Sequence, residues 1–201
     1  MRPVIRSRAH AGSTPRVAYT IGHSTRTFDE LCALLARAGV SALVDVRFAP
    51  GSRRNPHLAG RALAASLPAR GIEYAHEPRL GGFRRPRADT SNTGWTHPAF
   101  RGYADHMAGE DFRAGLERLQ QIARASTACV MCAEAQWWRC HRRLVADALV
   151  VRGWRVLHLG LGGAAAEHAL TPFAVVGGDL QLSYPPPQQE LDLTSPAVRS
   201  P

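Results

Sequence analysis

The chain has 201 residues, a formal net charge of +9 and 25 basic residues, all of which are arginine. This length suits one domain with a buried core, and no run of about 18 apolar residues predicts a transmembrane helix. The N-terminus lacks the apolar segment of a signal peptide, and four cysteines are too few for a disulfide scaffold. We therefore expect a cytoplasmic protein with reduced thiols, no membrane partner and a preference for polyanions.

Residues 1–16 contain four arginines and no acid, and we expect them to form a flexible basic arm. Five apolar runs then predict strands: RVAYTIG, SALVDVRF, IEYAH, TACVMCA and WRVLHLG, at 16–22, 41–48, 72–76, 127–133 and 154–160. Segments with helical spacing are predicted between them at 27–39, 58–71, 97–107, 110–126 and 138–153. The stretch from 77 to about 96 has no periodicity, which is typical of a functional or mobile segment.

Two local patterns support the predicted helices. Thr27 and Glu30 have the spacing of a capping box, and Gly39 is a natural helix stop. An apolar stripe in the fourth helix indicates a face packed on the core. Its members are Phe112, Leu116, Leu119 and Ile122.

The alternation of strands and helices predicts the α/β class. We expect a single three-layer domain at 17–184, with a mostly parallel sheet of about five strands and helices on both faces. Residues 185–201 are rich in proline and are predicted to form a loose C-terminal tail.

Polar side chains follow the predicted strands. Because ligands of such sheets bind outside the carboxyl ends of the strands, these residues are expected to converge on one site. They are His23, Ser24, Asp45, Arg47, Glu77, Cys132 and Glu134. The alternative is a solvated sheet edge. Asp45 and Arg47 are the more informative members, because a charge within an apolar run needs a partner or a ligand. Their pairing with each other would also explain them.

The stretch MCAEAQWWRCHRRL, residues 131–144, concentrates reactive side chains where a strand leads into a helix. One hypothesis is a thiol enzyme with Cys132 or Cys140 as nucleophile and Glu134 or His141 moving protons. Arg142 would turn towards an anionic group, helped by the helix N-terminus, and Glu134 would pair with an arginine in the empty site. The second hypothesis is structural, with the cysteines acting as buried apolar residues.

A third hypothesis is a zinc site. Cys129, Cys132, Cys140 and His141 have suitable ligand types in a C-x2-C-x7-C-H pattern. However, residues three apart in a strand point to opposite faces, so Cys129 and Cys132 should diverge. We therefore predict no bound metal and no cofactor.

The chain also resembles a family. The segments YTIGHST, LVDVRFAPGSRRNP, LGGFRR, FRGYADHM, MCAEAQWWRCHRRLVADALVVRG and LTPFA resemble, in order, those of the bacterial domain of unknown function four-eight-eight family. The resemblance covers about 17–184 and implies a compact α/β domain with a shared site. The matching positions are Gly22, His23, Ser24, Asp45, Arg47, Asn55, Pro56, Gly81, Gly82, Cys132, Glu134, Cys140, His141 and Arg142.

Together these observations predict an enzyme-like pocket for an anionic substrate, either a nucleotide or a nucleic-acid component. The reaction would be a hydrolysis or a transfer with Cys132, Glu134 and His141 as catalytic residues. The predicted substrate-binding residues are Gly22, His23, Ser24, Asp45, Arg47, Asn55, Cys140 and Arg142. The alternatives are a non-catalytic module that binds nucleic acid through arginines and a zinc-binding protein.

Overall fold

The computed structural model describes residues 16–160 and 162–187. The predicted basic arm, apart from Arg16, and most of the predicted tail lie outside these residues. No helix in the described part of the chain is both long enough and apolar enough to cross a bilayer.

A six-stranded sheet forms the centre of the fold. Its strands are β1 (Val17–Gly22), β2 (Ala42–Asp45), β3 (Glu73–His76), β4 (Ala128–Cys132), β5 (Arg155–Leu159) and β6 (Ala166–Glu167). They lie in the order β3-β2-β4-β1-β5-β6, and only the β5–β6 pair is antiparallel. The predicted α/β fold with a mostly parallel sheet is confirmed.

Three short strands were not predicted from the sequence. They are β6 in the main sheet and the antiparallel pair β7 (Val175–Val176) and β8 (Leu182–Ser183). Strands of two residues are too short to produce a recognisable alternation of apolar and polar side chains.

Within residues 16–160 and 162–187, five α-helices connect and cover the sheet. They are α1 (Phe28–Arg37), α2 (Gly60–Ser66), α3 (Pro98–Met107), α4 (Glu110–Ala125) and α5 (Arg142–Val150). The capping box predicted at Thr27 and Glu30 is present at the start of α1. The last helix differs from its prediction, because α5 begins at Arg142 and Trp137–Arg139 form a separate 3-10 turn.

The sheet separates two apolar cores. Helices α1 and α2 pack on one face, where Leu31 and Leu63 join Cys129 of β4. Helices α3, α4 and α5 pack on the other face, together with Cys132. The predicted divergence of Cys129 and Cys132 is therefore confirmed. Three members of the α4 stripe are buried and the fourth, Ile122, is partly buried against the core.

The strand register sets the position of the site. Gly22 is paired with Cys132 across β1 and β4, so both strands end at the same level. The loop after β4 is fastened to the loop after β1, since the Ser24 N–H donates to the Ala133 carbonyl over 2.9 Å. A side chain at position 22 would collide with the Glu134 backbone carbonyl, so this close approach requires glycine.

Candidate active site

A cavity of about 840 Å³ opens at the carboxyl edge of β1, β2 and β4. Six of the predicted site residues line it: His23, Arg47, Cys132, Glu134, Cys140 and His141. Five others lie outside its lining: Gly22, Ser24, Asp45, Asn55 and Arg142. The structure thus brings two cysteines, two histidines, an arginine and a glutamate to the wall of one cavity.

A buried ion pair forms part of this wall. The Arg47 Nε donates to Asp45 Oδ1 over 2.8 Å, and its Nη2 contacts Asp45 Oδ2. Asp45 Oδ2 also accepts a hydrogen bond of 2.8 Å from the Tyr74 hydroxyl. Burial, followed by the nearby Asp45 carboxylate, raises the pKa of Tyr74 above its usual value. Asp45 therefore lies beneath the cavity and orients Arg47, which itself lies just beyond the end of β2 rather than within it.

Besides Asp45, His23 also contacts Arg47. The His23 Nδ1 lies 2.9 Å from the Ser24 carbonyl, and its Nε2 lies 3.0 Å from Arg47 Nη1. Because a carbonyl can only accept and a guanidinium can only donate, the proton of neutral His23 is on Nδ1. Burial, followed by the positive charge of Arg47, lowers the pKa of His23. His23 is therefore a neutral imidazole whose Nε2 accepts from Arg47.

Cys132, Cys140 and His141 form a compact cluster in the cavity wall. Their sulfur atoms and a ring nitrogen all lie within 4.8 Å of one another. The Cys140 Sγ is 3.8 Å from His141 Nδ1, and His141 Nε2 lies 3.3 Å from the Val46 carbonyl. Gly82 packs against the same imidazole, since a Cβ at that position would lie 2.8 Å from Nδ1.

Arg142 lies behind this cluster with only 1% of its surface exposed. Its Nε donates to Cys140 Sγ over 3.4 Å, its Nη1 donates to Thr20 Oγ1 over 3.3 Å, and its Nη2 contacts the Glu134 carbonyl. Among the described residues it forms no ion pair with a carboxylate. The sulfur of Cys140 is therefore the group beside it that can carry a compensating negative charge.

The two thiols of the cluster differ in acidity. The thiol of Cys132, whose sulfur lies within 4.8 Å of the Cys140 sulfur, lowers the pKa of Cys140, and His141 and Arg142 lower it further against the opposing effect of burial. The neighbouring Cys140 thiol, followed by burial, raises the pKa of Cys132. Burial also raises the pKa of Cys129, which lies on the other face of the sheet. Cys140 is thus the thiol that this environment favours as a thiolate.

A buried chain of hydrogen bonds holds Arg142 from its far side. Thr20 Oγ1 lies 2.6 Å from His158 Nδ1, and His158 Nε2 lies 3.0 Å from His168 Nδ1. His168 Nε2 in turn lies 2.8 Å from Asp147 Oδ1. Arg142 donates to Thr20 Oγ1 at one end of this chain, and Asp147 Oδ1 accepts from the Thr171 N–H at the other.

The His158 ring is neutral. Burial, then the neighbouring His168 and Arg142, lower the pKa of His158 to about 3, which agrees with a neutral ring. Trp137 stacks on His158 at a centroid distance of 4.1 Å and covers the chain.

Two expectations about side-chain orientation are wrong. Arg142 does not turn towards a ligand in the cavity, because its donors are held by Cys140, Thr20 and backbone carbonyls. Glu134 pairs with no arginine in the described part of the chain, and its carboxylate instead accepts from the Gln136 N–H over 3.0 Å. Glu134 itself is exposed at the cavity wall and free to meet a ligand.

The remaining predicted residues support the wall from outside. Ser24 adopts a positive φ of 51° and presents its carbonyl to His23. The Asn55 amide lies 3.5 Å from the same carbonyl. Glu77 lies outside the cavity lining, and its buried carboxylate forms an ion pair with the partly exposed Arg79.

Several residues of the site could not be recognised from the sequence. Phe48, Phe83, Phe100, Tyr103, Trp138 and Arg139 all line the cavity. Thr20, Tyr74, Asp147, His158 and His168 act behind it. His158 offers the one local signal, a titratable residue in the middle of a buried strand. Thr20 and Tyr74 lie in strands without a charge to mark them, and the others lie in loops or helices with no distinguishing pattern.

The fold and the site define an α/β protein with a thiol, imidazole and guanidinium cluster at the carboxyl edge of a mostly parallel sheet. Residues 27–149 match the family described as Domain of unknown function DUF488, and the chain belongs to this family. The resemblance seen in the sequence motifs is thereby confirmed. No match to this chain was found among curated proteins or among solved structures.

Proposed function

We propose that the cavity is the active site of a thiol-dependent enzyme that acts on an anionic substrate, a nucleotide or a nucleic-acid component. The observation that carries this proposal is the fully buried guanidinium of Arg142, whose Nε lies 3.4 Å from Cys140 Sγ. A buried cation without a partner is strongly unfavourable. A Cys140 thiolate would neutralise it and would face the cavity at the same time.

The cluster supports nucleophilic catalysis. The Cys140 sulfur would attack an electrophilic centre of the substrate, forming a covalent bond as the leaving group departs. Glu134 or His141 would supply the proton that this group needs. Water or an acceptor would then break the bond to sulfur, which completes a hydrolysis or a transfer. The contacts favour Cys140 over Cys132 as the nucleophile, with Cys132 as the hydrogen-bond donor to the thiolate.

Arg47 is the candidate group for binding the anion. It lines the cavity, and Asp45 and His23 fix its orientation. Arg139 adds a second, exposed guanidinium to the wall. A guanidinium is well suited to carboxylate and phosphate oxygens because its donors are arranged in a planar fork.

The thiolate can be tested by alkylation. We expect iodoacetamide to label Cys140 rapidly at about pH 6.5, where an ordinary thiol is only about 1% ionised. Because the pKa of Cys140 is lowered, labelling should persist well below the pH at which ordinary thiols react. The rate should fall only as the pH falls through that lowered pKa. Mass spectrometry locates the label, and the pH dependence of the rate gives the pKa.

Matched variants identify the reacting group. Cys140→Ser should abolish the rapid labelling at low pH. Cys132→Ala should raise the pH at which Cys140 is labelled rapidly, because the thiolate loses its hydrogen-bond donor. Cys32→Ala should change nothing, because Cys32 is a buried residue of α1 in the core on the other face of the sheet. Slow labelling of all four cysteines at equal rates would contradict the proposal.

Zinc binding is the competing function for the same cluster. The donor atoms of Cys132, Cys140 and His141 are close enough together to share one ion. The Val46 carbonyl also fixes the proton of a neutral His141 on Nε2, which leaves Nδ1 free as a ligand. The four-ligand set considered from the sequence is wrong in one member, because Cys129 faces the opposite core.

We expect the purified protein to contain far less than one zinc per chain. The guanidinium of Arg142 already lies against the Cys140 sulfur, and its charge opposes a second cation there. Elemental analysis after gel filtration would measure the metal. About one zinc per chain that is lost in Cys140→Ser would contradict this expectation and support a metal centre.

A further inference from the structure

We propose that the cavity takes an unpaired base from single-stranded nucleic acid, whose neighbouring bases stack on an aromatic rim. This inference rests on the proposed function and specifies its substrate class. The aromatic rim consists of Phe48, Phe83 and Trp138, which are 57%, 96% and 42% exposed and all line the cavity.

The distribution of exposed apolar side chains is the first observation. Among the described residues, six large hydrophobic side chains are exposed. The three aromatic ones form the aromatic rim. The three aliphatic ones are Val175, Val176 and Leu180, in or beside the β7–β8 pair. Solvent-exposed aromatic rings gathered around one cavity are typical of a stacking surface rather than of a core.

The backbone holds one ring outwards. Phe83 has a φ of 61°, a left-handed conformation that is unfavourable for a bulky residue. It directly follows Gly82, which packs against His141 of the cluster. A strained conformation that exposes nearly a whole phenyl ring beside a cavity indicates a functional constraint.

The other two rings are also held in place. The Arg84 guanidinium lies 5.8 Å from the centre of the Phe48 ring, in a cation–π arrangement. Trp138 meets the edge of Trp137 at 5.6 Å, and Trp137 is in turn fixed by stacking on His158. The rim thus presents rings in defined positions, which lowers the entropic cost of stacking.

Charge favours a polyanionic strand over a neutral apolar ligand. Five arginines form no ion pair in the described part of the structure, although one lines the cavity and four lie within two sequence positions of a lining residue. They are Arg53, Arg54, Arg84, Arg85 and Arg139. Glu134 is the acidic residue in the lining, so the local balance is basic. Exposed arginines beside aromatic rings match the alternating phosphates and bases of a single strand.

Fluorescence anisotropy with the full chain would test this inference. The probes would be a labelled deoxythymidine oligomer of about 12 nucleotides, its uridine counterpart and the duplex of the same length. We expect at least one single strand to bind about tenfold more tightly than the duplex, because paired bases cannot stack on the rim. Equal or tighter binding of the duplex would overturn the proposal.

Variants locate the interaction. Phe83→Ala, Phe48→Ala and Trp138→Ala should each weaken strand binding about tenfold. Val175→Ala should have no effect, since this exposed side chain lies away from the cavity. Arg85→Gln should lower the salt dependence of binding by about one charge. Unchanged binding in all three aromatic variants would overturn the proposal.

Two readouts separate this inference from the proposed function. A saturating oligomer should slow the alkylation of Cys140, because a base would cover the thiolate. Reactive Cys140 without strand binding would overturn the inference and leave the thiol enzyme intact. Strand binding without a reactive Cys140 would support the inference, overturn the thiol enzyme and indicate a binding module.

Discussion

Replacing Asp45 with asparagine should destabilise the protein by about 3–5 kcal/mol. The substitution removes the negative charge beneath Arg47, whose side chain is 7% exposed, and leaves a buried guanidinium without its partner. It also replaces the carboxylate oxygen that accepts from the Tyr74 hydroxyl. Urea denaturation followed by circular dichroism would measure the loss as a change in the free energy of unfolding.

Asp29→Asn is the matched control. Asp29 also forms an ion pair with an arginine, Arg70, but the two side chains are 78% and 49% exposed. Water screens such a pair, so its loss should cost less than about 1 kcal/mol. If both variants lost less than about 1 kcal/mol of the free energy of unfolding, the Asp45–Arg47 pair would not be essential to the site wall.

Replacing Arg142 with methionine should lower the alkylation rate of Cys140 at about pH 6.5 by at least about tenfold. The variant removes the only arginine among the described residues that contacts the Cys140 sulfur, so the thiol should ionise at a higher pH. It should also destabilise the fold by about 2–3 kcal/mol, because buried acceptors at Thr20 and Glu134 lose their donor. Alkylation kinetics and urea denaturation would measure the two effects.

The two effects of Arg142→Met have separate controls. Arg124→Met removes an exposed arginine near the end of α4 and should change neither the alkylation rate of Cys140 nor the free energy of unfolding. Arg142→Lys keeps a positive charge but loses the fork of donors, so it should retain more thiol reactivity than methionine. Fast labelling of Cys140 in Arg142→Met at low pH would contradict the role given to this arginine.

The fold could be predicted from the sequence because the patterns that indicate its strands and helices are local. The central strands β2 and β4 are buried on both faces and read as apolar runs, while the helices repeat their apolar residues every three or four positions. The capping box at Thr27 and Glu30 is a contact between residues three positions apart. The short strands β6, β7 and β8 were missed because two residues carry no period.

The position of the site in the fold could also be predicted from the sequence. Strand ends in a parallel sheet meet at one edge, so the residues after β1, β2 and β4 had to be neighbours. Whether each side chain faces the cavity depends on the path of the loop that follows the strand. His23 and Arg47 reach the cavity, whereas Ser24 and Asp45 support it from behind.

The sequence by itself determined the α/β class, the family and the edge of the sheet at which the thiols gather. The tertiary structure alone decided that Arg142 is buried against Cys140 and that the three rings of the aromatic rim line the cavity. It also revealed the hydrogen bond between Thr20 and His158, which are 138 positions apart. Periodicity and motif spacing report only neighbours along the chain. The partners of a buried charge and the exposure of a ring are set by segments that meet only after folding.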